Sequence, residues 1–384
     1  MTVSSEIVSS ELNVHGIGMC SALSDYYNSC AAYRVGFNRF TGSENFGHGV
    51  QGDDEATPIQ ISPLPNYLEG YQSIGRLVKM LQLAYRDLNT QFERESYKNN
   101  LNAYFSLPDI TSLNYTFSDE ELALDISLES KIKNDFSTRY VDLIAPALNA
   151  NKLFFEFGGR ISFLENLAKA MTDLNEGRAE YCLVFGVDCL LNNELIDSLL
   201  EQNTLKTAES PNGFIPGEGA IAILLSKTGS LPNKIDHLLK LTLSFGSEPV
   251  PTEQDWENEE KLIENEKIQS QSWQGSQLSE ITTQCIQSIG MASGALNWFS
   301  DMNGDVFRAT ETGLFQVKMN KHMPTIDFPF IQTPVSSFGE LGLISGGFYF
   351  ALILFYMERG CLEFNYSLIA LSEDSGKRAV MLLG

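Results

Sequence analysis

The chain has 384 residues, 43% of them apolar, and a formal net charge of −23. That size and composition suit a globular protein with a substantial core, built as one large domain or two fused ones. The charge excludes the basic footprint that nucleic acids and anionic membranes select, so neither is expected as a partner. Cys20, Cys30, Cys182, Cys189, Cys285 and Cys361 form no CxxC pair, and the four histidines stand alone. No metal site and no cofactor is expected from them, and scattered single thiols suit a reducing cytoplasm. The opening MTVSSEIVSSELNV has neither the basic region nor the apolar core of a secretion signal.

In chain order, the pattern predicts a strand over residues 12–22, with a turn where Gly16 and Gly18 interrupt it, and a helix over 25–33. Residues 48–65 read as loop, 71–92 as a helix through Ile74, Leu77, Met80, Leu81 and Leu88, and 101–107 as a strand. Residues 119–137 are charged and read as surface, and 140–150 as a short amphipathic helix. Then comes LFFEFGGRISFLENLAKAMTDLNEGRAEYCLVFGVD, residues 153–188. It predicts a buried strand, a sharp turn at Gly158-Gly159, a helix stopped by Gly177, and a second strand over 181–187 that ends at Asp188. Such a turn is where many enzymes mount a nucleophile. No Ser or Cys stands at it, and Ser162 falls already inside the helix.

Further helices are predicted over 192–202 and 278–291, and strands over 220–225, 238–245, 296–299, 368–371 and 379–383. Residues 249–276 are acidic and polar and read as an exposed excursion without a core of its own. LGLISGGFYFALILFYM, residues 341–357, is short for a membrane span and has no basic flank, so a helix buried on all sides is expected. The order of glycine turn, helix, glycine stop, strand and acidic turn occurs at 158–188 and again at 339–374. That repetition suggests two like α/β halves.

Several segments then resemble one family. NGFIPGEGAIA at 212–222 resembles the GFxPGEGA segment of β-ketoacyl-acyl-carrier-protein synthases. EGRAEYCLVFGVDCLL at 176–191 resembles the strand that follows their nucleophile helix, VHGIGMCSALSD at 14–25 their first strand, and LSEDSGKRAVMLL at 371–383 their last hairpin. The resemblance implies an α/β thiolase fold: a duplicated, five-layered αβαβα arrangement with two buried central helices. It also implies an N-terminal half at 1–235, holding the nucleophile-side helix, and a C-terminal half at 236–384 that carries the acidic excursion.

The chemistry implied is negative. Family members use a cysteine at the turn before the central helix, two histidines on later loops and a supporting lysine. Here the nucleophile position falls on Arg160 or Gly159. Asn303 stands for the first histidine, with Asp301 or Met302 as alternatives, Glu340 for the second histidine and Val335 for the lysine. A guanidinium is always protonated and cannot attack, and an amide cannot shuttle protons. Arg160, Asp301, Asn303 and Glu340 form the candidate pocket, in which a buried Arg160 needs a partner and Glu340 is the candidate.

A DxNxD run at Asp301, Asn303 and Asp305 lacks the remaining ligands of a calcium loop and reads as a hydrogen-bonded turn. Three functions remain open. The first is an inactive, protein-binding accessory factor, suggested by the resemblance of the D-x-N-G-x-x-x-R-A turn to accessory proteins of type VI secretion cargo. The second is a silent partner of an active ketosynthase, resembling a chain-length factor in fatty acid or polyketide synthesis. The third is an acyl-thioester enzyme with a rearranged site. The family's habit of pairing implies a homodimer formed through residues 153–157.

Overall fold

The computed structural model of the chain describes residues 7–49, 56–65, 68–91, 100–109, 127–146, 148–227, 237–248 and 274–384. Its strands are β1 (Ile7–Cys20), β2 (Thr41–His48), β3 (Thr57–Ile61), β4 (Leu101–Leu107), β5 (Ala150–Phe157), β6 (Tyr181–Cys189) and β7 (Glu218–Lys227). They continue with β8 (His237–Ser247), β9 (Gly294–Ser300), β10 (Ile326–Asp327), β11 (Ile331–Gln332), β12 (Tyr366–Ser372) and β13 (Lys377–Leu383). The helices are α1 (Tyr26–Arg34), α2 (Ser73–Leu88), α3 (Leu128–Asp135), α4 (Val141–Ile144), α5 (Ser162–Asn175), α6 (Asn193–Glu201), α7 (Ser276–Ser288), α8 (Val306–His322), α9 (Val335–Phe338) and α10 (Ser345–Glu358).

One large sheet runs through the molecule in the order β10-β9-β12-β13-β8-β1-β7-β6-β4-β5, with β11 also paired to β9. Its two ends have the same topology. β4 lies parallel between β5 and β6, and β6, β7 and β1 continue antiparallel. β9 lies parallel between β11 and β12, and β12, β13 and β8 continue antiparallel. The repeats join where β1 pairs with β8, antiparallel from Ile7 opposite Ser244 onward.

Side-chain alternation along the strands builds three apolar layers. In β6, Cys182 and Val184 face the middle layer, and Leu183, Phe185 and Val187 face the layer beneath α2. In β13, Ala379, Met381 and Leu383 face the middle, while Val380 and Leu382 pack with Ile281 of α7 and Phe315 of α8. The middle layer holds α5 and α10. Every residue of α10 from Ser345 to Tyr356 is buried, which is why its sequence is apolar all round. Helices therefore lie outside, between and outside the two sheet regions, the five-layered α/β arrangement anticipated from the sequence.

Several local expectations change. β1 runs unbroken through Gly16 and Gly18, with only a register irregularity between Val14 and Gly16. Gly18 lets α2 approach, because a Cβ there would land on Ala84 O and Leu88 N. Residues 48–65 contain β3, which pairs with β2. The helix expected over 140–150 is a π turn, Phe136–Tyr140, followed by the single turn of α4, and Ala150 already belongs to β5. β5 is the sheet edge and is half-exposed, not the buried strand its apolar run implied. The apolar runs in or beside which Cys182 and Cys361 stand in the sequence suggest buried thiols at both, but Cys361 is only partly buried. Helix α8 had no counterpart in the sequence reading. Residues 249–273 of the acidic excursion and 110–126 lie outside the described residues. Among the described residues no helix is long and apolar enough to cross a membrane.

Candidate functional site

The turn that feeds α5 is sharp because of what surrounds it. Neither Gly158 nor Gly159 has positive φ. A Cβ on Gly158 would strike Ser162 Oγ, and one on Gly159 would come within 2.7 Å of Glu373 Oε1. The turn delivers Arg160 inward, 9% exposed, at the start of the first central helix.

Glu340 arrives from the other repeat. Gly339 adopts φ +75°, and its neighbour's backbone forms a bridge with the PGEGA turn: Glu340 N–H donates to Ile215 O at 2.7 Å and Gly217 N–H donates to Glu340 O at 2.9 Å. This fixes a side chain that is 1% exposed. Arg160 Nη1 donates to Glu340 Oε1 at 2.6 Å, and Gly342 N–H donates to the same oxygen at 2.9 Å. Asn303 Nδ2 donates to Glu340 Oε2 at 2.7 Å. Arg160, Asn303 and Glu340 are thus brought together.

Asp301 lies beside them in a separate knot. Its Oδ2 accepts from Ser372 N–H at 2.8 Å and faces Arg308 Nη1 at 3.5 Å. Arg308 also donates to Ser372 O and to Asp374 Oδ1, each at 2.7 Å. Asp305 caps α8 by accepting from Phe307 N–H at 3.1 Å. Val335 opens α9 and is buried. No group of three His, Cys, Asp or Glu side chains among the described residues is placed to hold a metal ion.

Electrostatics follow burial and pairing. Burial works to raise the Glu340 carboxyl, but Arg160, Arg308 and Asn303 outweigh it and hold it below the usual range. Burial likewise opposes the Arg160 charge, and Glu340 and Asp301 overcome it. For Asp301, burial prevails over Arg308 and Arg160, and the carboxyl is raised. Arg160 Nε and the Tyr349 hydroxyl are buried with no hydrogen-bond partner among the described residues.

Two further carboxylates escaped the sequence reading. Glu373, just after β12, accepts from Ile161 N–H at the start of α5 at 3.1 Å. Asp188, at the end of β6, accepts from Leu343 N–H just before α10 at 2.8 Å. β6 and β12 are equivalent in the repeated topology, so each repeat supplies a carboxylate to the helix start of the other. A third, Glu218 of PGEGA, is fully buried. It is gripped by Arg76 at 2.5 and 2.6 Å and accepts from Leu64 N–H at 2.9 Å. The PGEGA segment was a clear signal in the sequence, but its partner Arg76 was not.

A cavity of about 680 Å³ lies elsewhere, bordered by Phe46, Tyr71, Arg76, Pro108, Cys189 and Asn192. None of Arg160, Asp301, Asn303 and Glu340 is among its lining residues.

No family model and no curated protein matches the chain. Solved structures do. A type II PKS acyl-carrier protein in complex with its ketosynthase bound to the hexaketide matches with a TM-score of 0.71 at 12% identity, over 97% of this chain and 98% of that one. The ishigamide ketosynthase/chain length factor matches with a TM-score of 0.63 at 14% identity, over 97% and 99%. A β-ketoacyl synthase from Burkholderia phymatum STM815 matches with a TM-score of 0.64 at 12% identity, over 97% and 99%. The chain therefore has the thiolase-type α/β fold of the ketosynthases.

Proposed function

We propose that this protein is a ketosynthase-fold chain without condensing activity that works by binding another protein, as a silent, chain-length-factor-like partner of an active ketosynthase. The observation that carries this reading is the closed set of contacts on Glu340. At the positions aligned with the family's nucleophile and histidines stand a guanidinium that cannot attack, an amide that cannot shuttle protons and a carboxylate whose charge would repel an enolate. Glu373 already occupies the Ile161 N–H, so this donor at the start of α5 is not open to a substrate oxygen. The third reading, an acyl-thioester enzyme, finds no nucleophile–base pair here.

The partner face is β5. Leu153, Phe154 and Phe157 are partly exposed on the edge of the sheet. Native proteins seldom leave such an edge uncovered. Two of the similar structures are described as assemblies of a ketosynthase with a chain length factor or a carrier protein, which favours an active synthase over a second copy as the natural occupant. The homodimer is the form expected when the synthase is absent. Six free thiols suit a cytoplasmic setting. The type VI secretion reading rests only on the turn holding Asp301, Asn303 and Arg308, whose side chains are engaged internally.

A tagged pull-down from the native cell, read by mass spectrometry, tests the proposal. Recovery of an active ketosynthase, lost in a Phe154→Asp variant, supports it. Recovery of secretion cargo or its adaptor transfers the role to the accessory reading. Decarboxylation of a malonyl thioester by the purified chain overturns the non-catalytic assignment.

A further inference from the structure

Asp188 differs from the other carboxylates around α5 and α10. It is 7% exposed at the end of β6. Its Oδ2 accepts from Leu343 N–H and its Oδ1 from Cys189 N–H, both at 2.8 Å. Gly342, at φ +57°, faces it so closely that a Cβ would land on Oδ2. Among the described residues no Lys, Arg or His forms an ion pair with it. The ionisable groups facing it are Glu340, from the segment before α10, and Arg160, from the start of α5. Arg160 is already committed to Glu340 at 2.6 Å. On β6 itself the neighbouring Cys189 thiol donates to Glu218 at 3.2 Å. Nothing packed here neutralises a second negative charge.

We propose that Asp188 is a proton-binding site in the folded chain, and that the bound proton tightens the joint between β6 and the start of α10. With the proton in place, the joint holds one carboxylate and one guanidinium in balance. Without it, a second buried carboxylate rests on two backbone N–H groups beside Glu340.

Burial pushes the Asp188 carboxyl up to about 7, against a partial offset from the Leu343 and Cys189 N–H groups, while Glu340 adds to the rise. The ordinary value is 3.8. The folded value is the higher one, so the proton's contribution is complete below about pH 4. It is lost progressively as pH rises through about 7 and is flat beyond that. Within that window each pH unit shifts the opening equilibrium of the joint by up to about tenfold. The joint is tightest in acid and loosest at and above neutrality.

Amide hydrogen exchange on the full chain, corrected for the intrinsic pH dependence of exchange, reads this at residues 342–347. Protection is expected to fall by up to about tenfold per unit from pH 5 to 7 and then level, and to be flat in Asp188→Asn, whose amide oxygen still accepts from Leu343. Flat protection in the unmodified chain, or an unchanged slope in the variant, overturns the proposal. The carboxyl ¹³C shift of Asp188 in the unmodified chain decides independently of whether the variant folds. Titration near 7 supports the site, and titration near 4 refutes it.

Discussion

Removing Glu340 is the sharpest perturbation of the candidate site. In Glu340→Ala three donors lose their acceptor at once: Arg160 Nη1, Asn303 Nδ2 and Gly342 N–H. Arg160 then keeps its charge at 9% exposure with no carboxylate in contact. Breaking a buried pair from one side costs about 3–5 kcal/mol, most of it the desolvation of the charge left behind. For 384 residues the unfolding entropy is roughly 0.8 kcal/mol/K, so the melting temperature should fall by about 4–6 °C. Arg160→Met combined with Glu340→Leu removes both charges and fills the volume. Such replacements are often neutral or stabilising, so the double variant should recover most of the loss. Calorimetry on the unmodified chain, Arg160→Met, Glu340→Leu and the double variant closes the cycle. A shift below about 1 °C in Glu340→Ala, or a double variant as unstable as the sum of the singles, would show that Arg160 and Glu340 are not energetically coupled.

Two further outcomes follow from the geometry. Gly18→Ala inserts a Cβ onto the α2 backbone at Ala84 and Leu88, so β1 and α2 must separate. Overpacking of this kind costs about 1–3 kcal/mol, and an unchanged melting temperature would contradict the close approach. Asp87 accepts Met19 and Tyr26 N–H groups on one oxygen, and burial raises its carboxyl to about 6 from 3.8, despite those two bonds. Because its folded value is the higher one, its contribution is present below about pH 4 and lost as pH rises through about 6, by at most about 3 kcal/mol. The stability difference between the chain and Asp87→Asn should therefore move in favour of the variant over that interval, and a pH-independent difference would refute the assignment.

Where a residue's neighbours along the chain dictate its environment, the sequence was sufficient. The apolar run of α10 reads as a helix buried on all sides because its surroundings are apolar in every direction. Gly177 and Gly360 read as helix stops and adopt φ +72° and +59°. The PGEGA segment and the repeated order of elements pointed to a duplicated α/β fold. Helix α8 was hidden because its buried side includes Arg308, Glu311 and Thr312 as well as Phe315 and Met319. The helical spacing is present, but it is carried partly by polar groups whose partners, Asp301 and Arg378, come from other elements.

β1 was misread at Gly16 and Gly18 for the converse reason. Local glycine flexibility lost to pairing with β7, where Gly16 lies opposite Leu224 and Gly18 opposite Ala222, and to the packing of α2. Arg160, Asn303 and Glu340 could be named from the aligned motifs, and Glu340 as the candidate partner of Arg160, but the contact itself is made by the fold, which brings together two residues 180 positions apart. The acidic turns that hold Asp188 and Glu373 were visible as part of the repeated order, but nothing local assigned them a role. Their N–H partners lie 155 and 212 residues away, on the helix start of the other repeat. An isolated carboxylate after a strand resembles any solvated turn, and only the packing of one repeat against the other makes it a buried cap.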